Sequence, residues 1–326
     1  MTGPLTRRDT LRICAAGLAL PLGALGLGAI RGAPVPVQWT GTALGGLASM
    51  TLWHSSERVA RRAIDRLQVE IDRLENIFSL HRPESEISRL NREGGLLAPS
   101  PALLEVLDQS RRVADQSGGA FDPTIQPLWQ LFAAKLSGEP PLNRMQLTAT
   151  LARVDYTALS ATARAIRLGR TGMAVSLNGI AQGYMTDRVT ELLGNEGFEH
   201  AVIELGETRA LGSAPDGTPF AIGLVDPAAP ATLDRDVALA NASLSVSGGY
   251  GTPLGAAGRH HIFDPRTGES AMRLSRVAVI SPKAVWADAL STAIYVAGED
   301  AAPALLAAYP ASRAILTRRD GSGVEL

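Results

Sequence analysis

Helical periodicity fills the first half of the chain and short β-type runs fill the second, a segregation that restricts the fold more than any other feature. After Ser55 and Ser56, the apolar residues Ala60, Ile64, Leu67, Ile71, Leu74 and Phe78 recur at steps of four and three. That is the stripe of a helix with one face in a core. "SPALLEVLDQSRRVADQSGG" (100–119) predicts a second helix, opening at Ser100 with Pro101 in its first turn and closing at a glycine pair. Between the two, "SLHRPESEISRLNREGG" (79–95) reads as a break around Pro83. A helix over about 181–195 leads into "HAVIELG" (200–206), "FAIGLVDP" (220–227), "VALANASLSVSG" (237–248), "HHIFDP" (260–265) and "LSRVAVIS" (274–281). Helices over about 284–297 and 301–308 and a hairpin around Asp320-Gly321 complete the pattern. Helices gathered early and strands gathered late imply an α+β fold rather than an alternating parallel sheet.

The first 33 residues stand outside this pattern. "TRRDTLR" (6–12) precedes the apolar stretch "ICAAGLALPLGALGLGAI" (13–30), and the pair Arg7-Arg8 before a modestly hydrophobic segment resembles a twin-arginine export signal. Thr10 stands where that motif commonly carries an aromatic residue. The alternative is a short membrane anchor, which the many glycines and Pro21 disfavour. Residues 1–33 are therefore expected to direct export to the periplasm, with membrane anchoring if the signal is retained. Residues 34–48, rich in Pro and Gly, read as a linker into a first strand, "SMTLWH" (49–54), so that 49–326 forms the working domain. Cys14, the only cysteine, lies inside the signal, which leaves neither disulfide nor thiol chemistry to the mature part. With 31 Lys and Arg against 32 Asp and Glu, the net charge is −1 and no run of like charge stands out. Nucleic acid and anionic membrane surfaces are poor partners for such a chain, which leaves small molecules or proteins.

Four stretches carry chemistry. "SGGAFDPTIQPLWQLF" (117–132) sets Gly118, Gly119, Asp122 and Thr124 between a helix and an apolar segment. It can hold a ligand close to the backbone, or be a helix C-cap followed by an Asx-turn. "SLNGIAQGYMTDRV" (176–189) is a turn into a helix, able to offer backbone groups to a phosphate or metal, or simply to pack tightly; it does not match the dinucleotide G-x-G-x-x-G pattern. "HHIFDPRTG" (260–268) brings two imidazoles to a strand, where His260 and His261 face opposite ways, so at most one serves a shared site. The other histidines, His54, His81 and His200, show no metal-ligand spacing, so a zinc site is not expected. In "WADALSTA" (286–293), Asp288 and Thr292 are four apart on an otherwise apolar helix, with Ser291 beside them. Carboxylate and hydroxyl oxygens suit a hard cation such as Mg²⁺.

Taken together, "FSLHRPESEISRLNR", "GGAFDPTIQPLWQLF", "LNGIAQGYMTDRV", "GETRALG", "SVSGGY", "HHIFDPRTG" and "VWADALSTAIYVAG" resemble the ApbE-type FAD:protein FMN transferases, over about residues 50–300. The resemblance implies a T-fold-like single α+β catalytic unit with a mixed, largely antiparallel sheet and packed helices. It implies FAD in a cleft and Mg²⁺-dependent cleavage of its pyrophosphate. FMN is then joined to a Thr or Ser hydroxyl of a target flavoprotein, and AMP leaves. By the same resemblance Asp288 and Thr292 are metal ligands, Ser291 occupies a third, variable position, and the Gly179 carbonyl completes the shell. Met50, Ala120, Phe121, Asp122, Glu207, His261 and Phe263 fall at flavin-nucleotide contacts, with His261 a candidate for handling the proton of the incoming hydroxyl.

The sequence departs from the family at several of these contacts. Ser176 stands where an aspartate is usual, Gln182 where Lys or Glu is usual, His81 where a tyrosine is usual, and Leu205 where the first glycine of a pair is usual. These departures keep two other readings open beside the transferase. One is an FAD pyrophosphatase, with water replacing the protein hydroxyl. The other is an exported FAD-binding protein without catalysis. The target expected for the transferase is an exported flavoprotein of respiratory electron transfer.

Overall fold

The computed structural model describes residues 33–136, 143–254 and 259–326. The export signal expected over 1–33 lies outside them, save for Ala33. Among the described residues no helix is long and apolar enough to cross a membrane.

The segment expected to be a linker is a strand. Residues Val35–Ala43 form β1, which turns at Leu44 and Gly45 (φ 48° and 84°) and pairs antiparallel with β2 (Gly46–His54), setting Trp39 opposite Met50. Positive φ at both turn residues matches the twist of a tight hairpin. Pro36 is tolerated because β1 is the outer strand of its sheet, where a missing N–H costs no ladder bond. Only Val37 and Ala43 of this strand are buried, so its alternation hardly shows in the sequence.

Helix α1 (Glu57–Phe78) follows Ser56 and buries the whole predicted stripe from Ala60 to Phe78. Each large side chain in that stripe contributes about 1.5–3 kcal/mol by leaving water. The expected break then contains a short helix, α2 (Glu86–Glu93). The Ser85 hydroxyl accepts from the Ser88 amide at 3.1 Å to cap it, and Gly94 ends it at φ 73°. After β3 (Gly95–Leu97), helix α3 (Pro101–Gln116) starts as predicted, with the Ser100 hydroxyl accepting from the Leu103 amide. Two more helices, α4 (Gln126–Leu136) and α5 (Arg144–Leu151), were not read from the sequence; α5 is opened by a reciprocal Asn143–Gln146 capping box. Strands β4 (Leu159–Ala161) and β5 (Ala165–Leu168) complete a small sheet with β3.

The second half builds the main sheet. Helix α6 (Ala181–Asn195) precedes β6 (His200–Glu204) and β7 (Thr208–Leu211). The run predicted over 237–248 divides between the long β9 (Ala229–Leu239), which forms a two-stranded ribbon with β8 (Phe220–Asp226), and β10 (Ser243–Gly248). Residues 260–265 make only isolated bridges, Pro253 with His260 and Phe263 with Ser270. Strand β11 (Leu274–Ser281), helix α7 (Ala284–Ala297), helix α8 (Ala302–Ala307) and the hairpin of β12 (Arg313–Arg318) with β13 (Gly323–Glu325) end the chain close to the expected bounds.

The eight-stranded sheet runs β1-β2-β6-β7-β10-β11-β12-β13, and every adjacent pair is antiparallel. Alternation along β11 sorts its two faces. Val277 and Val279 join the core shared with α1, α6 and α7, while Ala278 and Ile280 join Phe220, Ile222 and Leu224 of the ribbon. Helices thus cover one face and the ribbon part of the other. This matches the α+β fold expected from the sequence.

Candidate active site

The functional side chains converge where the start of α6, the middle of α7, strand β10 and the loops after α3 and β6 meet. The loop after α3 needs its glycines, since Gly118 and Gly119 take φ of 57° and 76°. It delivers Ala120, Phe121 and Asp122 to the cleft wall. Asp122 also makes the Asx-turn foreseen as the plainer reading. Its Oδ1 accepts from the Thr124 amide (2.7 Å) and hydroxyl (2.6 Å), and its Oδ2 accepts from the Tyr156 amide at 3.1 Å. Burial outweighs those bonds and raises its carboxyl above the ordinary range. Asp122 therefore braces the loop that carries Phe121.

Opposite this loop, the turn into α6 meets α7. A Cβ on Gly179 would lie 3.2 Å from Thr292 Oγ1 and 3.3 Å from Phe121 Cε2, so this glycine lets three segments close on one another. One turn on, the Gly183 amide donates to Asp288 Oδ2 at 3.0 Å. No other hydrogen bond holds the Asp288 carboxylate among the described residues. Asp288 is only 3% exposed, yet it lines the cleft together with Thr292. Ser291 is turned away from the cleft. Its hydroxyl bonds to those of Ser245 (3.0 Å) and Ser247 (2.8 Å) and donates to the Asp288 carbonyl at 2.9 Å. Ser247 lies 3.3 Å from the Thr292 hydroxyl.

Acidic groups crowd this floor. Burial raises the carboxyl of Asp288, and burial with the charge of Asp288 raises that of Glu207 well above its ordinary value. Glu204 is pushed up to about 7 by burial, against the opposing bond from the Thr208 hydroxyl to its Oε2 (2.7 Å). No Lys or Arg pairs with Asp288, Glu204 or Glu207 among the described residues, so three carboxylates share one poorly solvated place without a resident cation. Glu204 was not singled out from the sequence, although two acidic residues bracketing Gly206 in an apolar strand were a readable signal.

The oxygens of Asp288 and Thr292 fit a hard divalent cation. Among the described residues no cluster of three or more His, Cys, Asp and Glu side chains is disposed to hold a metal. The cleft instead brings together the Asp288 carboxylate, the Thr292 side chain and the Gly179 backbone, and a cation held there would draw on such mixed oxygen groups. Oxygen-only coordination completed by water and substrate is the usual arrangement for Mg²⁺.

The remaining predicted contacts divide. Ser176, Gln182, Glu207, His261 and Phe263 line the cleft, whereas Met50 is packed in the core and His81 is exposed, its ring lying against Gly45 of the first hairpin. Gln182 lies over Gly206 (φ 101°), so close that a Cβ there would meet its Nε2 at 2.3 Å, and that Nε2 is buried without a hydrogen-bond partner among the described residues. The two histidines part as expected. His260 Nε2 bonds to the Ala271 carbonyl at 2.8 Å, away from the cleft, while His261 faces into it with its Nδ1 unpartnered among the described residues. Burial, reinforced by His260, pushes the His261 imidazole down to about 4, so it is neutral at physiological pH. Phe263 is stacked on Phe132 (4.7 Å between centroids, 19° between planes), and Trp129, another lining residue not foreseen, stands 6.5 Å from His261.

Comparison with known proteins gives one pattern. The model of the ApbE family matches residues 44–316. An FAD:protein FMN transferase of Treponema pallidum is 27% identical over 76% of this chain and 75% of its own length. That of Vibrio cholerae is 29% identical over 72% and 74%. Among solved structures, the flavin transferase ApbE from Vibrio cholerae superposes with a TM-score of 0.75 at 25% identity, covering 90% of this chain and 97% of that one. The ApbE protein of Thermotoga maritima shares the fold at a TM-score of 0.78 and 24% identity, covering 89% and 96%. The matched residues include all those that build the cleft, and on that extent the chain belongs to the ApbE family.

Proposed function

We propose that this protein is an FAD:protein FMN transferase, moving FMN from FAD to a Thr or Ser hydroxyl of a target protein in the presence of Mg²⁺. The observation that carries the reading is the meeting of Asp288, Thr292 and Gly179 at the floor of a cleft whose carboxylates have no cationic partner within the described chain. Asp288, Thr292 and the Gly179 carbonyl would hold Mg²⁺, which supplies charge neutralisation to the diphosphate of bound FAD.

The chain's own groups do the rest. The hydroxyl oxygen bonds to the phosphorus of the FMN half, the bridging P–O bond breaks, and AMP departs with the bridging oxygen. This chemistry needs in-line placement more than a strong nucleophile. His261, neutral and aimed into the cleft, is placed to accept the hydroxyl proton. At the start of α6 the amides of Ala181, Gly183 and Tyr184 are occupied, while that of Gln182 has no hydrogen-bond partner among the described residues. A free amide at a helix N-terminus favours phosphate oxygen. Phe121 and Phe263 offer apolar surface for the isoalloxazine ring.

The proposed setting is outside the cytoplasm, reached through a twin-arginine signal in residues 1–33. The proposed targets are exported flavoproteins of respiratory electron transfer. Incubation of the protein with FAD, Mg²⁺ and an acceptor protein, following AMP and covalently bound FMN, tests the reaction. AMP with flavinylated acceptor supports transfer. AMP with free FMN makes the protein a pyrophosphatase, and neither product makes it a carrier.

A further inference from the structure

Helix α7, which presents Asp288 and Thr292, does not cap itself. Its N-cap residue, Lys283, has extended backbone (φ −124°, ψ 135°) and makes no side-chain capping bond. The cap comes from another helix. The Asp187 carboxylate of α6 accepts from the Ala284 amide through Oδ1 at 2.8 Å and from the Val285 amide through Oδ2 at 3.0 Å. Both oxygens are thereby committed to the first turn of α7, where a negative charge also opposes the helix dipole.

Asp187 lies four residues after Gly183, so both project from one face of α6. Four residues also separate Ala284 from Asp288 on α7. Two contacts one turn apart therefore fasten the same stretch of α7 to the same stretch of α6. Gly183 holds the Asp288 carboxylate, and Asp187 holds the amides one turn earlier. The segment leading into α7 is pinned as well, because Arg209 of β7 donates to the Pro282 carbonyl and, at 3.1 Å, to the Ser243 hydroxyl. A rotation of α7 by a few degrees about its axis would swing Asp288 and Thr292 away from Gly179. The Asp187 bonds resist that rotation at the first turn of the helix, one turn before Asp288.

We infer that Asp187 is a positioning residue of the reaction: by holding both leading amides of α7 it sets the rotation of that helix and so the placement of Asp288 and Thr292 against Gly179. It does not line the cleft and acts through the helix. The inference rests on the metal-dependent transferase reading, and it adds a residue outside the cleft to the groups that determine cation affinity.

The test uses the full chain and the variants Asp187→Asn and Asp187→Ala. Asn keeps the size but offers one acceptor in place of two. Calorimetric titration with Mg²⁺, or with Mn²⁺ followed by electron paramagnetic resonance, reads cation binding without turnover. Cation affinity is expected to fall about 10- to 100-fold in Asp187→Asn, the usual effect of removing a group that orients a ligand. FAD binding measured in EDTA stays as in the wild type, and turnover recovers at saturating Mg²⁺. A folded Asp187→Asn that binds the cation as tightly as the wild type overturns the inference. So does equal weakening of cation and FAD binding, or failure of both variants to fold, either of which would reduce Asp187 to a structural cap. A wild-type chain that binds neither cation strikes the transferase reading itself, and this inference falls with it.

Discussion

Across 105 residues of sequence, the backbone amide of Gly183 donates to the Asp288 carboxylate at 3.0 Å, joining the glycine-bearing helix to the helix with the candidate metal ligands. The contact exists because Gly183 has no side chain. A Cβ there would lie 2.4 Å from the Ala284 carbonyl oxygen and 2.8 Å from Asp288 Cβ, neither of which is a flexible side-chain end. Gly183→Ala is therefore expected to force the helices apart, costing about 1–3 kcal/mol as overpacked sites do. It should also abolish Mg²⁺-dependent AMP release in whatever protein folds. Thermal unfolding alongside an AMP assay checks both; a variant that keeps wild-type turnover would show that the close approach is dispensable.

The two hydroxyls after Asp288 should behave differently. Thr292 lines the cleft, while Ser291 is fully buried among Ser245, Ser247 and the Asp288 carbonyl. Thr292→Ala is expected to raise the Mg²⁺ concentration for half-maximal turnover with little loss of stability. Ser291→Ala strips partners from two buried hydroxyls and should cost about 1–3 kcal/mol in unfolding free energy. Its Mg²⁺ dependence should stay close to the wild type. The opposite pattern would move the ligand role to Ser291.

The acidic floor makes the metal-free protein sensitive to alkali. Glu204, pushed up to about 7, and Glu207 and Asp288, also raised, hold protons more tightly folded than unfolded. The folded state then binds more protons, so stability falls as pH rises from the unfolded values, 3.8 for Asp and 4.5 for Glu, through the raised folded values. In EDTA the melting temperature should decline between about pH 5 and pH 8, and Mg²⁺ should restore most at the upper end, where it replaces the lost protons. A melting temperature that is flat or rising over that range in EDTA would contradict the assignment of unpaired buried carboxylates.

His261→Gln should leave FAD and Mg²⁺ binding in place and lower turnover by about 10²- to 10⁴-fold, the usual worth of a positioned proton acceptor. Because burial holds His261 neutral down to about 4, its titration contributes no acid limb to the rate profile near neutral pH. Unchanged turnover in the variant would remove His261 from the reaction and leave it as packing beside Trp129.

Elements with strong, long patterns were legible before the structure. The stripe of α1 follows from apolar spacing, α6 and α7 keep the bounds expected for them, and α7 was recognisable as a buried helix with an acidic residue that needed a partner. Strand β1 escaped because its outer face meets solvent and only two of its residues are buried. Helix α2 escaped because eight residues with only Ile87 and Leu90 buried are too short to display a period, although Ser85 and Gly94 marked its ends. In the site, Asp288 and Thr292 were visible as an i, i+4 pair. Glu204 was passed over, and the Gly183 and Asp187 contacts depend on two helices meeting in space, which no local pattern encodes. Asp122 shows that two readings can hold together, since its side chain makes the Asx-turn while its loop lines the cleft.

The decisive measurement compares wild type with Asp288→Asn, each incubated with FAD, Mg²⁺ and an acceptor protein, and followed for AMP and for FMN covalently bound to the acceptor. The wild type should release AMP and label the acceptor in equal amounts, and only with the divalent cation present. Asp288→Asn should fold as well as the wild type in EDTA, having lost a carboxylate that burial disfavours, and yield neither product. Wild-type yields of both products from Asp288→Asn, or no cation dependence in the wild type, would contradict a metal-assisted transfer centred on Asp288.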